Sequence, residues 1–260
     1  MSALALRMSA ADLLKLRKKR WLIWLSLFLT AGVLAIVYLV AVIQHASSPA
    51  SHGPAGGAQN FRDGMRVLAL FFGPLVAILI GVEAGTGDAA AGVFKDLVVT
   101  GRSRLALFAS RVPAAIALCW AIVVAGYALL LACTFAFASG LPTPGASLVL
   151  NGLGFSLLAS AVLCAIAVAF ASLTVSRPGA IVTLIAWQVV ASPLLASIGS
   201  LGSLRRALLS QAIANFSPVS VMGGHGATVT MSQATALLVL AVWLAVFLAL
   251  GAWRTHTMDA

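Results

Sequence analysis

Residues 21–43 read WLIWLSLFLTAGVLAIVYLVAVI and contain no charged side chain. As an α-helix rising about 1.5 Å per residue, the run is about 34 Å long. The hydrocarbon layer of a bilayer is about 30 Å thick, so this one segment crosses it. Lys15, Arg17, Lys18, Lys19 and Arg20 precede it. A basic stretch before an apolar one also begins a signal peptide, but a signal core spans only about 7–15 residues. His45-Ala46-Ser47-Ser48 is in addition a poor cleavage site. Residues 21–43 therefore predict an uncleaved first membrane helix.

Five further runs follow from the same criterion: 66–85, 105–138, 148–175, 180–198 and 233–253. The expected fold is all-α, a single transmembrane domain over 1–260 with six transmembrane helices. Composition agrees. The chain is 62% hydrophobic and 8% charged, against about 25% charged in a soluble domain. A net charge of +10 would suit nucleic acid only if the basic residues covered one soluble face. They gather instead where apolar runs end, so nucleic acid is not an expected partner and membrane lipid is.

The charges also orient the spans. Arg7, Lys15, Arg17, Lys18, Lys19, Arg20, Lys95, Arg102, Arg104, Arg111, Arg177 and Arg254 fall on one side of the expected topology, and Arg62, Arg66, Arg205 and Arg206 on the other. Basic residues accumulate on the cytosolic side, so both termini are expected there, in a cell (inner or plasma) membrane. Residues 1–20 then form a cytosolic interfacial helix, with Ser9 as a cap, Asp12 in its first turn, and Leu6, Ala10, Leu13 and Leu14 on one face. Gly73-Pro74 predicts a kink in the second span, because proline removes a backbone bond, and Pro113 predicts a bend in the third.

The connection 86–104 and its flanks are the most informative stretch. Glu83, Asp88 and Asp96 are three of the chain's six acidic residues. Phe94, Leu97 and Val98 make a short apolar face beside Lys95 and Asp96, suited to docking on a soluble partner. Glu83 and Arg111 fall in the same third of two adjacent antiparallel helices, where an ionisable group is costly unless paired. They are expected to form an intramembrane pair, direct or bridged by water.

This stretch resembles the membrane subunit of type-2 ABC transporters, the export class. In that family the segment after the second helix reads roughly acidic-x-x-x-Gly-Thr, two to four residues, Leu-Leu, a turn, then Ser-Arg. Here Asp88 stands in the acidic position, Gly92 matches, Val93 replaces the threonine, and Leu97-Val98, Thr100-Gly101 and Ser103-Arg104 complete the pattern. The basic N-terminal helix, the six spans and an outer segment, 199–232, fit as well. In that segment Asn215-Phe216-Ser217-Pro218 resembles a family stretch containing Asn-Pro. Leu204, Leu208, Leu209, Ala212, Ile213 and Phe216 recur at helical spacing, as in the short re-entrant helices before the family's last span.

The resemblance implies a permease subunit of an ATP-driven exporter for a lipophilic or amphipathic substrate. Residues 86–104 would be its coupling loop, with Asp88, Gly92, Phe94, Lys95, Asp96, Arg102 and Arg104 facing an ATP-binding subunit. A second permease subunit, identical or related, would complete the pathway, lined by the first, second and fifth spans. The chain has no G-x-x-x-x-G-K-[ST] loop, so ATP and Mg would belong to the partner. No cofactor is expected in this chain.

Other classes fare less well. No His-Glu-x-x-His motif occurs, His45, His52, His225 and His256 lie outside the spans, and Ser156 and Ser160 have no nearby histidine base. Neither an enzyme nor a metal site is therefore expected. With Gly152 these serines form a small-residue stripe suited to helix packing. An ion-gradient-driven transporter usually places ionisable groups at mid-membrane, and spans one, four, five and six carry none. A non-transporting scaffold is the third alternative.

Overall fold

The computed structural model describes residues 3–90, 92, 103–219 and 229–257. Among them every regular element is helical. Helix α1 (Ala3–Lys18) precedes six helices long and apolar enough to cross a membrane. These are α2 (Arg20–Ser47), α3 (Gly57–Asp88), α4 (Arg104–Ala136), α5 (Ala146–Thr174), α6 (Arg177–Ser197) and α8 (Gln233–Thr257). The short α7 (Leu209–Ala214) stands before the last of them. This is the build of a multi-pass membrane protein.

The six spans are not equivalent. Two-thirds (67%) of the most apolar window is buried in α3 and in α5, against 22% in α2 and 17% in α6 and α8. Helices α3 and α5 are the centre, and the others surround them. Small residues bring the two together. A Cβ on Gly81 would lie 2.6 Å from both Ala167 Cβ and the Cys164 carbonyl oxygen, and one on Gly85 would lie 2.5 Å from the Val168 carbonyl. Without water to drive apolar association, close backbone approach of this kind is what holds membrane helices together. The Gly152 stripe packs likewise, against Met65 and Tyr127. Ser156 is spent on the Gly152 carbonyl at 2.8 Å and Ser160 on that of Leu157 at 3.1 Å.

Several boundaries differ from expectation. Helix α3 starts at Gly57 rather than at Arg66, because Gly57, Phe61, Gly64 and Met65 bury one face of an otherwise polar stretch. Their spacing is i, i+4, i+7, i+8, a helical period hidden among Gln59, Asn60, Arg62 and Asp63. Ser9 does not cap α1. The helix begins at Ala3, and the Ser9 hydroxyl donates to the Ala5 carbonyl at 3.0 Å. Pro113 sits inside the uninterrupted α4. The expected kink at Gly73-Pro74 takes the form of a π-helical turn, Val67–Phe72, directly before it. A wider turn accommodates the missing proline N–H and relieves the ring's clash with the preceding turn. Two further π-turns lie in α2 (Phe28–Gly32) and α6 (Trp187–Ala191), the latter just before Pro193.

The bundle has two distinct ends. At one, Gly56 N–H donates to the Phe137 carbonyl at 2.9 Å and Ala58 N–H to that of Pro142 at 2.8 Å. Only glycine fits at 56, since a Cβ would lie 2.4 Å from Ala138 N. Within 199–219, two short 3₁₀ turns, broken at Gly202 by a φ of 50°, occupy Gly199–Ala207 and precede α7, and Trp243 Nε1 donates to the Ala207 carbonyl at 2.9 Å. The helical run expected from Leu204 to Phe216 is broken at Leu208, whose backbone is extended. Leu204 is exposed, whereas Leu209, Ala212 and Ile213 are buried. The other end holds α1, the end of α3, the start of α4, the α5–α6 junction and the end of α8.

Candidate functional site

The second end of the bundle carries most of the described ion pairs. Local structure brings them together. Helix α5 stops at Val175, which takes a left-handed φ of 54°, a costly value for a β-branched residue. Ser176 then caps α6 by accepting the Gly179 N–H, so the chain reverses within two residues and sets Arg177 at the head of α6. At Lys19 the backbone leaves helical geometry, with ψ 77°, so α1 and α2 meet at a bend. Helix α1 can therefore turn back across the ends of α3 and α4.

Two carboxylates organise the cluster. Glu83, 2% exposed, accepts from Lys19 Nζ through Oε1. Arg177 Nη2 lies 2.6 Å from its Oε2 as an ion pair without aligned hydrogen-bond geometry. The Arg177 guanidinium also lies 4.6 Å from the centre of a Trp21 ring, within cation–π range. Glu83 of α3 thus joins the head of α2 to the head of α6. Asp88, five residues on, accepts from Arg111 Nη2 at 2.9 Å through one oxygen and from Lys15 Nζ at 3.3 Å through the other. Lys15 also donates to Asp12 at 3.1 Å, and Asp12 accepts from Ser110 Oγ at 2.6 Å. Asp88 therefore joins α3 to α4 and α1.

Burial pulls the Lys15 ammonium down, but the neighbouring Asp88 and Asp12 carboxylates outweigh it and hold its pKa above the ordinary value. Between these groups lies a cavity of about 260 Å³, lined by Asp12, Lys15, Lys19, Glu83, Asp88 and Arg111 together with Leu16, Ala84 and Gly87. Arg104 anchors the other border of segment 86–104, donating from Nη1 to the His256 carbonyl at 3.1 Å.

Glu83 and Arg111, expected to pair, line the same cavity; Glu83 is ion-paired with Lys19 and Arg177, and Asp88 is one partner of Arg111. Of the residues assigned to the coupling loop, Asp88 is one of the organising carboxylates and Arg104 bonds to the end of α8. Gly92 takes a φ of 69°, left-handed and open to glycine without cost. Phe94, Lys95, Asp96 and Arg102 lie outside the described residues. The sequence reading missed Lys15, Lys19 and Arg177 as partners. A signal was available for Arg177, which lies in the tight turn Ser176-Arg177-Pro178-Gly179 on the same expected side, whereas Lys15 and Lys19 are two of five basic residues before the first span. Among the described residues no three His, Cys, Asp or Glu side chains group to hold a metal.

A second cavity, of about 180 Å³, lies among α3, α5, α6, α7 and α8. Its walls include Phe170, Trp187, Trp243 and Phe247, with the Trp243 and Phe247 rings stacked at 5.6 Å.

Comparison with known proteins adds no relative: no protein-family model matches the chain, and neither does any curated protein. Its class rests on the six apolar helices. That class is a multi-pass α-helical membrane protein, and no narrower family is shown.

Proposed function

We propose that the chain is the permease subunit of an ATP-driven ABC exporter, with both termini in the cytosol, moving a lipophilic or amphipathic substrate across the cell membrane. One observation carries the reading. The two borders of segment 86–104, Asp88 and Arg104, are bonded to α1, α4 and α8, and the neighbouring Glu83 adds α2 and α6. A displacement of that segment is therefore felt by the spans around the central pair. In this proposal a separate ATP-binding subunit docks on residues 86–104. Closure of that subunit around ATP and Mg pushes the segment, and the ion-paired borders pass the push to the helices.

The π-turns support the same reading. They fall in α2, α3 and α6, the spans to which the resemblance assigns the pathway, and single π-turns mark helices that change shape at functional sites. Two copies of this chain, or this chain and a related one, form the complete pathway in the proposal. The first two spans and the fifth face each other across it.

The test is co-expression of the chain with candidate ATP-binding subunits. The expected result is co-purification, ATPase activity that depends on this chain, and ATP-driven transport in vesicles. Alanine at Phe94, Lys95 and Asp96 should abolish the last two while the six-helix chain still inserts. If the triple variant retains assembly and transport in full, residues 86–104 do not couple.

A further inference from the structure

We propose that the outward face of α1 binds anionic phospholipid headgroups, independently of any transport partner. The basic residues of this region divide into two sets. Lys15 and Lys19 are neutralised by ion pairs, Lys15 with Asp12 and Asp88 and Lys19 with Glu83. Arg7, Arg17, Lys18 and Arg20 are exposed. Nothing at this end of the described structure remains to balance them. Asp12, Glu83 and Asp88 are already engaged, and Asp63 pairs with Arg66 within the helix whose start packs at the opposite end. Among the described residues, the three cations Arg7, Arg17 and Lys18 of α1 and Arg20 at the adjoining head of α2 have no internal counter-charge.

The same face is not purely polar. Arg7, Leu14 and Lys18 recur at i, i+7 and i+11, which aligns them on one stripe, and Leu6 and Arg17 form a parallel stripe beside it. Leu4, Leu6 and Leu14 are 46%, 58% and 56% exposed. A nucleic acid or a solvated acidic surface offers nothing to these leucines. The boundary of a bilayer suits both sets: guanidinium and ammonium groups reach phosphate while leucines enter the acyl edge. Position favours it too. Helix α1 turns directly into the first span at Lys19, and its inner face is tied to α3 and α4, so the outer face is held beside the headgroups. Each basic residue near an anionic leaflet raises binding by about fivefold.

The experiment uses the full-length chain in nanodiscs containing equal amounts of phosphatidylglycerol and phosphatidylcholine, followed by native mass spectrometry of the lipids retained. Phosphatidylglycerol should be retained over phosphatidylcholine by about tenfold or more. The preference should collapse when salt is raised from about 0.1 M to about 1 M, which shortens the Debye length from about 10 Å to about 3 Å. A variant with Arg7, Arg17, Lys18 and Arg20 all changed to Gln should lose it. The charge-preserving Arg7→Lys, Arg17→Lys, Arg20→Lys variant should keep it. The salt series on the unaltered chain decides the matter if the Gln variant fails to insert. Equal retention of the two lipids, a salt-insensitive preference, or a Gln variant that inserts and keeps the preference would overturn the proposal. So would displacement of phosphatidylglycerol by poly-glutamate at equal charge, which would make the face a protein-binding one.

Discussion

Glu83 is the residue on which the charge cluster turns. It is buried, yet both its cations are partly wet, with side chains 37% exposed. Removing the anion strands Lys19 and Arg177 beside an apolar helix end, and breaking a buried pair from one side costs about 3–5 kcal/mol. Partial exposure lowers that, so Glu83→Gln is expected to destabilise the chain by about 2 kcal/mol. Arg177→Gln should cost less, because the carboxylate keeps Lys19. The double variant should lose less than the sum by about 1 kcal/mol. Unfolding in mixed micelles measures all three, and strictly additive losses would mean that the contact carries no energy. That Glu83 needs a partner was legible in the sequence, since an ionisable group in an apolar helix rarely stands alone. Which partner was not. Lys19 is 64 residues away along the chain, and only the packing of α2 and α6 around α3 brings the two cations to one carboxylate.

At the scale of the element, glycine separates helices that must touch from helices that only pass. Gly81 and Gly85 face backbone and Cβ atoms of α5 inside 3 Å, whereas Gly154, in the same α5, has nothing within 4 Å of its would-be Cβ. Gly85→Ala should force α3 and α5 apart and cost about 1–3 kcal/mol. Gly154→Ala should be neutral or stabilise by up to about 1 kcal/mol, since alanine is the better helix former. Unfolding midpoints of the two variants check this, and equal effects would contradict the close α3–α5 contact. The sequence shows Gly81 and Gly85 as a small-x-x-x-small pair, but such pairs are common in membrane helices. It does not say which helix lies opposite. The start of α3 shows the reverse case. Its buried face, Gly57, Phe61, Gly64 and Met65, was written in the period, yet the polar residues between them read as a loop.

For the whole molecule, an even number of spans places both chain ends on one side. The contacts at one end agree, because α1 reaches the head of α4 through Ser110 and the tail of α8 reaches it through Arg104. Single cysteines in a background lacking Cys119, Cys133 and Cys164 test the arrangement. Arg7→Cys and Thr257→Cys should react with an impermeant reagent from the same face of a vesicle, and His52→Cys from the opposite one. Labelling of positions 7 and 257 from opposite faces would reduce the spans to an odd number.

The sequence alone determined the helical class and the count of six spans. Those properties depend on local composition, because each span must satisfy its own backbone and match its own length to the bilayer. Tertiary structure decided the rest: that α3 and α5 form the centre, and that Glu83 gathers Lys19 and Arg177 while Asp88 gathers Lys15 and Arg111. It also decided that three cations of α1, and Arg20 at the head of α2, are left facing outward. Those outcomes depend on which helix stands beside which, and a chain of similarly apolar helices does not encode that in any one segment.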